Sequence, residues 1–297
     1  MRVHAGSVNP LDIKIRTGKA ALARHPLPAV LGLGMAGTVT GPGVTSFHPG
    51  DEAYGMVGGH RRGARNVGPI HRRGCGSVGA QTSKGFDAGS RHFAAGNDHR
   101  VGGIGRSRRG TRRAESPHSC GRGGVGQVAV QLANAMGAEV FGTVSAEKRK
   151  ILEQRGAVAI DYRKQSAAEY VAQETGGVRF EIVYDTVGGS TLDDSFTAVK
   201  HYTGHAVSCL GWGTRALAPP AFRCATYSGV FTLLRLFTGQ HRAHHGRILT
   251  GATALADEGK LRPLLDSHNF TIEEVESAYR LAASGSVGKV VPDVQAR

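Results

Sequence analysis

From Gly121 onward the apolar positions of this 297-residue chain change period again and again. In VGQVAVQLANAMG, Val125, Val128, Ala129, Leu132 and Met136 recur at helical spacing, and Gly137 supplies a stop. AEVFGTV then reads as a strand, SAEKRKILEQRG as a helix and AVAID as a short strand. SAAEYVAQETGG is another helix, FEIVYDTVGG a strand ending in glycines, STLDDSFTAVKH a helix and GHAVSCLG a strand. Strand and helix alternating at this spacing predict a parallel, doubly wound sheet. Near the end, GRILTGATALADEGKL and IEEVESAYRLAASG read as amphipathic helices, and GKVVPDV as a terminal strand with Pro292 at an edge-tolerant position.

Residues 1–59 pattern differently. MRVHAGSV alternates weakly, LPAVLGLGMAGTVT is apolar and broken by glycines, and GPGVTSFHPGDEAYG is rich in turns, so a β-rich domain of short strands is expected. Residues 60–120 follow neither period. They contain no Leu, Met, Tyr or Trp, and they cannot bury enough apolar area to offset backbone ordering entropy. A poorly ordered segment is expected there. RSRRGTRRAESP stands where a doubly wound fold places its first, buried strand, and its arginines predict no such strand.

Charge follows the same division. Between His60 and Arg122 lie 14 of the 37 Lys and Arg but only 3 of the 23 Asp and Glu, so that segment carries +11 of the net +14. The remaining +3 is ordinary for a soluble enzyme. The basicity therefore classifies one segment and not the molecule. Cys75, Cys120, Cys209 and Cys224 are scattered, with no paired spacing, which suits reduced thiols in a cytoplasmic protein. No secretory core follows MRVHAGSVNP, and no apolar run reaches about 18 residues, so neither export nor membrane insertion is expected.

The candidate chemistry is a nucleotide loop. Gly121-Arg122-Gly123-Gly124-Val125-Gly126 reads G-x-G-x-x-G and runs into the first helical pattern, whose N-terminal N–H groups and dipole favour a phosphate. A structural turn is the plainer reading of a glycine cluster in a chain with 44 glycines. The strand AEVFGTV ends in Thr143-Val144-Ser145, followed by Lys148 and Arg149. An acidic residue there would suit the ribose of NAD, whereas hydroxyl and cationic residues suit the 2′-phosphate of NADPH. Glu147 dissents, although a Glu at a helix start also complements the dipole.

Taken in order, VNPLDIKIRTG (Val8–Gly18), LPAVLGLGMAG (Leu27–Gly37), GPGVTSFHPGDEAYG (Gly41–Gly55), GRGGVGQVAVQLANAMGA (Gly121–Ala138), YDTVGG (Tyr184–Gly189) and GKVV (Gly288–Val291) carry a resemblance. The chain resembles the medium-chain dehydrogenase/reductase superfamily, specifically its zinc-independent quinone oxidoreductase branch. That resemblance implies an α/β protein with a Rossmann doubly wound parallel sheet over 119–250. A GroES-like β-rich catalytic domain would be formed by 1–118, with 251–297 returning to it, and the active site would lie in the cleft. Asn9 would lie near the nicotinamide, and Tyr54 would face the substrate. Gly121, Gly123, Gly124, Val125 and Gly126 would hold the pyrophosphate; Ser145, Lys148, Arg149 and Tyr162 would surround the 2′-phosphate; Gly188, Leu210 and Gly211 would line the ribose region. The implied activity is NADPH-dependent hydride transfer to a quinone or an α,β-unsaturated carbonyl, and relatives commonly form homodimers through the edge of the Rossmann sheet.

The chain departs from that pattern at three places. It starts inside the strand MRVHAGSV, without the β-structure that usually precedes it; AGTVTGPGV is shorter than the family pattern by about two residues, with Gly34 where an acidic residue often stands; and residues 60–120 stand where the family has a strand region, a long helix and the first Rossmann strand. The abrupt change at both ends, with length preserved between them, is expected of a segment read out of frame. The GroES-like domain would then be damaged and the activity of this polypeptide in question.

Residue type alone also supports plainer roles. Asn9 before Pro10 suits a turn, Tyr54 suits packing, and Lys148 and Arg149 suit a solvated helix face. His201, His205, His244 and His245 have no Cys or carboxylate at ligand spacing and read as surface residues; with no Gly-His-Glu motif or four-cysteine lobe, no metal is expected. Two rival functions follow. Residues 60–122 could serve as a basic nucleic-acid-binding arm, although Phe86 and Phe93 are its only aromatic residues and no recognised module appears. Alternatively the chain is an inactive remnant that still dimerises, with YSGVFTLLRLF apolar enough for an interface or a core helix.

Overall fold

A computed structural model describes residues 1–20, 31–41, 47–57, 67–72, 113–116 and 124–294. The chain forms two compact units, Met1–Arg91 with Thr232–Arg297, and His92–Phe231. Each is built on its own six-stranded sheet.

In the first unit β1 (Arg2–Gly6), β2 (Gly34–Thr38), β3 (Glu52–Val57) and β4 (Val67–Arg72) pair antiparallel in sequence order. Two-residue strands β11 (Phe270–Thr271) and β12 (Pro292–Asp293) extend the sheet on the far side of β1. β12 lies between β11 and β1, so Pro292 is not at an edge as its sequence suggested. It is tolerated as the first residue of its strand, where a missing ladder donor costs least. The strand-rich reading of residues 1–59 omitted helix α1 (Pro10–Arg16). Asn9 holds an extended backbone before it, Pro10 takes the first helical position, and the Asp12 carboxylate accepts the Asn9 N–H at 2.9 Å.

Helix α8 (Arg242–Asp257), which follows the short α7 (Leu234–Thr238), overturns another expectation. His245, Leu249, Ala252 and Ala256 recur along one buried face, and His244 and His245 are only 7% and 1% exposed rather than surface residues. Their position on the apolar stripe decides this, because residues three and four apart share a helix face. His201 is exposed as expected, while His205 is half-buried and bonds Ser228 Oγ at 2.9 Å. Helix α9 (Val275–Ser284) buries Ala278 against Val8 and Val290 in a small core.

Over residues 124–208 the second unit alternates as its periodicity predicts, and a strand before that stretch and a short helix and strand after it were not anticipated. β5 (Arg113–Ser116), α2 (Gly124–Ala135), β6 (Glu139–Val144), α3 (Arg149–Glu153), β7 (Val158–Asp161), α4 (Ala167–Thr175), β8 (Ile182–Asp185), α5 (Ser190–Ala198), β9 (His205–Ser208), α6 (Ala218–Ala221) and β10 (Thr226–Gly229) follow in turn. The strands pair in parallel in the order β10-β9-β8-β5-β6-β7. This is the doubly wound arrangement, with successive strands added to one side of β5 and then to the other. Phe180, fully buried, sits 5.4 Å from the Phe141 ring and 6.3 Å from Tyr170, and Ile160, Val183, Leu192 and Phe196 close the core around them. Burying each such side chain stabilises the fold by roughly 1.5–3 kcal/mol. Helix α4 is bounded by its own chemistry, a Ser166–Glu169 capping box and a left-handed Gly176.

β5 and β4 arise within the segment whose pattern predicted no strand. Ala114 pairs with Val140 on one side and Ile182 on the other, placing β5 in the sheet interior. Main-chain donors and acceptors pair whatever side chain they carry, and β6 and β8 present two ladders that a central strand completes. The rest of the basic segment, with its proposed nucleic-acid role, lies outside the described residues. Among the described residues no helix is long and apolar enough to cross a membrane.

Candidate dinucleotide site

The parallel sheet reverses its winding beside β5, and ligands of such sheets lie outside the carboxyl ends of the strands at that reversal. Helix α2 starts there. Gly124 is its first residue, Val125 is half-buried and Gly126 buried, and its first turn holds no acidic side chain. Gly121 and Gly123 lie outside the described residues.

Beyond β6, Ser145 holds an extended backbone and its carbonyl accepts the Lys148 N–H at 3.0 Å. Val144 pairs with Asp161 across to β7, which brings Tyr162 and Arg163 beside this turn. The Arg163 guanidinium lies 3.3 Å from the Glu147 carboxylate and 5.9 Å from the centre of the Tyr162 ring. The Ser145 side chain, the main-chain N–H of Glu147 itself and the Arg163 charge hold the Glu147 carboxyl below its usual range. Arg149 is occupied by Glu153, at 3.4 Å. Ser145, Lys148 and Arg149 therefore follow the end of β6 and Tyr162 the neighbouring end of β7, together with Arg163, which the sequence reading passed over. Its signal was adjacency to Tyr162 directly after a strand.

The other side of the reversal is held from within. Asp185, fully buried, ends β8 and accepts the Gly188 N–H at 2.9 Å, the Val187 N–H at 3.1 Å and the Ser208 hydroxyl at 2.6 Å. Ser208 in turn accepts the Leu210 N–H at 3.1 Å. Gly188 has φ +77°, and a Cβ on it would lie 2.2 Å from the Leu210 carbonyl oxygen, so only glycine fits. A Cβ on Gly211 would likewise lie 2.2 Å from the Tyr227 hydroxyl. Gly188, Leu210 and Gly211 are thus brought together, and Asp185 and Ser208 do the joining. Neither was singled out from the sequence, although YDTVGG contained the first.

Comparison with known proteins gives this geometry its family. Residues 1–90 match the alcohol dehydrogenase GroES-like domain and residues 124–236 match the zinc-binding dehydrogenase family. The crystal structure of an alcohol dehydrogenase superfamily protein from Novosphingobium aromaticivorans is 38% identical, with a TM-score of 0.88 over 99% of this chain and 90% of that one. The chain belongs to the medium-chain dehydrogenase/reductase superfamily. Among curated members it is 27% identical to the NAD(P)H oxidoreductase RTN4IP1, mitochondrial, of Mus musculus, over 99% of this chain and 81% of that one. It is 26% identical to the NADPH-dependent alkenal/one oxidoreductase, chloroplastic, of Arabidopsis thaliana, over 98% and 70%. A 32% match to the highly reducing polyketide synthase AN6791 of Emericella nidulans covers 60% of this chain and 7% of that one.

The match to the zinc-binding dehydrogenase family raises the question of a zinc site. Among the described residues no three His, Cys, Asp or Glu side chains converge on a metal position. Burial pushes the Cys209 thiol up to about 11, so it stays protonated at neutral pH.

In the other unit, Asn9 and Tyr54 are buried, and both are engaged. The Asn9 amide nitrogen donates to Ser7 O and Asp12 Oδ2, both at 3.2 Å, while its oxygen accepts Lys289 Nζ at 2.5 Å. The Tyr54 hydroxyl meets Thr253 Oγ1 at 2.5 Å on α8. A buried hydroxyl needs a partner, and Thr253 supplies it from within the same unit.

Proposed function

We propose that the chain is a cytoplasmic NADPH-dependent oxidoreductase that moves hydride to a quinone or an α,β-unsaturated carbonyl without a metal. The observation carrying this reading is the winding reversal beside β5 with Ser145, Lys148, Arg149, Tyr162 and Arg163 gathered at the ends of β6 and β7. The relatives named for NAD(P)H and NADPH-dependent alkenal/one chemistry support it.

Bound there, the dinucleotide supplies the hydride, and the protein's part is binding and orientation. The first turn of α2 would hold the pyrophosphate with main-chain N–H groups. Ser145 and Arg163 would take the 2′-phosphate, a dianion replacing the Glu147 carboxylate that now uses both. Asp185 fixes the turn in which Gly188 meets Leu210, where the ribose would rest. Asn9 and Tyr54 are proposed as rigid residues of the catalytic unit rather than as proton donors, since their donors are already engaged. β10 ends the parallel sheet, and we propose it as the homodimer seam, which a monomer mass by light scattering would refute.

The test is NADPH oxidation by the purified chain with a quinone and an enone acceptor. Turnover by the native chain that Gly123→Asp abolishes is expected. Failure to bind any nicotinamide dinucleotide would end the reading, and binding without turnover on either acceptor would favour the inactive remnant. Sequencing the coding DNA separately tests whether residues about 60–120 are out of frame.

A further inference from the structure

Beside the winding reversal lies one polar group that the fold does not use. Thr186 follows β8 directly, is 6% exposed, and its hydroxyl has no hydrogen-bond partner among the described residues. The groups on either side of it are engaged. The Asp185 carbonyl accepts the Cys209 N–H at 3.2 Å, and the Asp185 carboxylate is filled by Val187, Gly188 and Ser208. Strand register fixes the position of Thr186. Glu115 pairs with Val183, and β5 ends one residue later at Ser116, so Thr186 stands beyond the carboxyl ends of both strands. Val187, next to it, is an apolar side chain left 44% exposed.

A buried hydroxyl without a partner costs free energy, and native structures keep few. One that stands at a topological switch point is placed where a ligand would satisfy it. The hydroxyl is also adaptable chemistry, able to donate to a phosphate or ribose oxygen by turning about one bond.

We infer that the Thr186 hydroxyl is a contact for the bound dinucleotide, donating to one of its phosphate or ribose oxygens, and that it serves affinity and not fold stability. The inference rests on the nucleotide reading above. It separates Thr186 from its neighbour Asp185, whose hydrogen bonds hold the loop whether or not a ligand is present.

Thr186→Val keeps the shape and removes the hydroxyl, and Thr186→Ser keeps the hydroxyl. Both are compared with the native chain by fluorescence titration with NADPH and with ADP, and by thermal melts without ligand. Expected are a roughly tenfold weaker NADPH Kd for Thr186→Val, about 1.4 kcal/mol, and near-native binding for Thr186→Ser. The ligand-free Tm of Thr186→Val should be unchanged or higher, since an unsatisfied group has been removed. Weakening toward ADP as well places the contact on the adenosine half; weakening toward NADPH alone places it on the nicotinamide half. Native affinity in Thr186→Val, or a lowered Tm or failure to fold, overturns the inference while leaving the nucleotide reading intact. A native chain that binds no dinucleotide overturns both.

Discussion

The two sides of β5 handle polar chemistry in opposite ways. On the β6–β7 side the Arg163 and Glu147 side chains are 58% and 67% exposed, and their ion pair is bathed in water. On the β8–β9 side Asp185 and Ser208 are 0% and 1% exposed, and their hydrogen bonds hold backbone to backbone. Exposed pairs contribute about 0–1 kcal/mol, whereas removing one partner from a buried hydrogen-bonded set leaves the others unsatisfied. The first side can therefore change with its ligand at little cost to the fold. The second cannot, and it places Gly188 and Leu210 whether or not a ligand is bound.

That contrast can be broken at four points. Asp185→Ala should have the largest effect, lowering stability by about 3 kcal/mol or more in urea unfolding, because two main-chain N–H groups and the Ser208 hydroxyl lose their acceptor. A loss under about 1 kcal/mol would mean that the buried side is not held by this carboxylate. Gly188→Ala comes next, at about 2–4 kcal/mol, since its φ of +77° and the 2.2 Å approach to Leu210 O leave no room for a methyl group. The exposed side should behave otherwise. Arg163→Gln should leave the unfolding free energy from urea titration within about 0.5 kcal/mol of native yet lower the preference for NADPH over NADH roughly tenfold. Glu147→Gln should move that preference upward, and an unchanged ratio in both variants would remove the phosphate role from this strand end.

The smallest expected effect is a pH dependence at β9. Burial lowers the pKa of His205 from its ordinary 6.5, so the fold favours the neutral ring. The associated stability is fully present above about 6.5 and is lost as pH falls from there toward the lowered folded value. Urea midpoints should slip across that window, less so in His205→Gln. A slope unaltered by that substitution would assign it to other groups.

Much of the parallel unit was legible because its elements are repeated local patterns. Val128 and Leu132 announce α2, Phe141 and Val144 announce β6, and Ser166 with Glu169 marks the start of α4. Ser145, Lys148 and Arg149 could be anticipated because they follow the strand β6, Tyr162 came only from the family resemblance, and β7 is the strand that pairs beside β6. The pattern failed where a contact spans the chain. Asp185 reads as one acid among 23 Asp and Glu until β9 brings Ser208 to it, 23 residues on. Asn9 reads as a turn residue until Lys289 arrives from 280 residues away. Tyr54 needed Thr253, and β12 needed β1, before either had its place. His245 misled because polarity predicts exposure, whereas its position on the buried stripe of α8 decides against it.

The amino-acid order alone determined the helices and strands from α2 to β9, together with α8 and α9, since periodicity and capping act over a few residues. It also determined that the winding is parallel and that the strand end after β6 is rich in hydroxyl and cationic groups. Only the tertiary structure decided that Arg113–Ser116 completes the sheet, that Asp185 staples two loops, and that the Thr186 hydroxyl is buried without a partner among the described residues. Those outcomes depend on which main-chain groups and side chains meet across long separations, and a burial or a missing partner exists only once the surrounding atoms are in place.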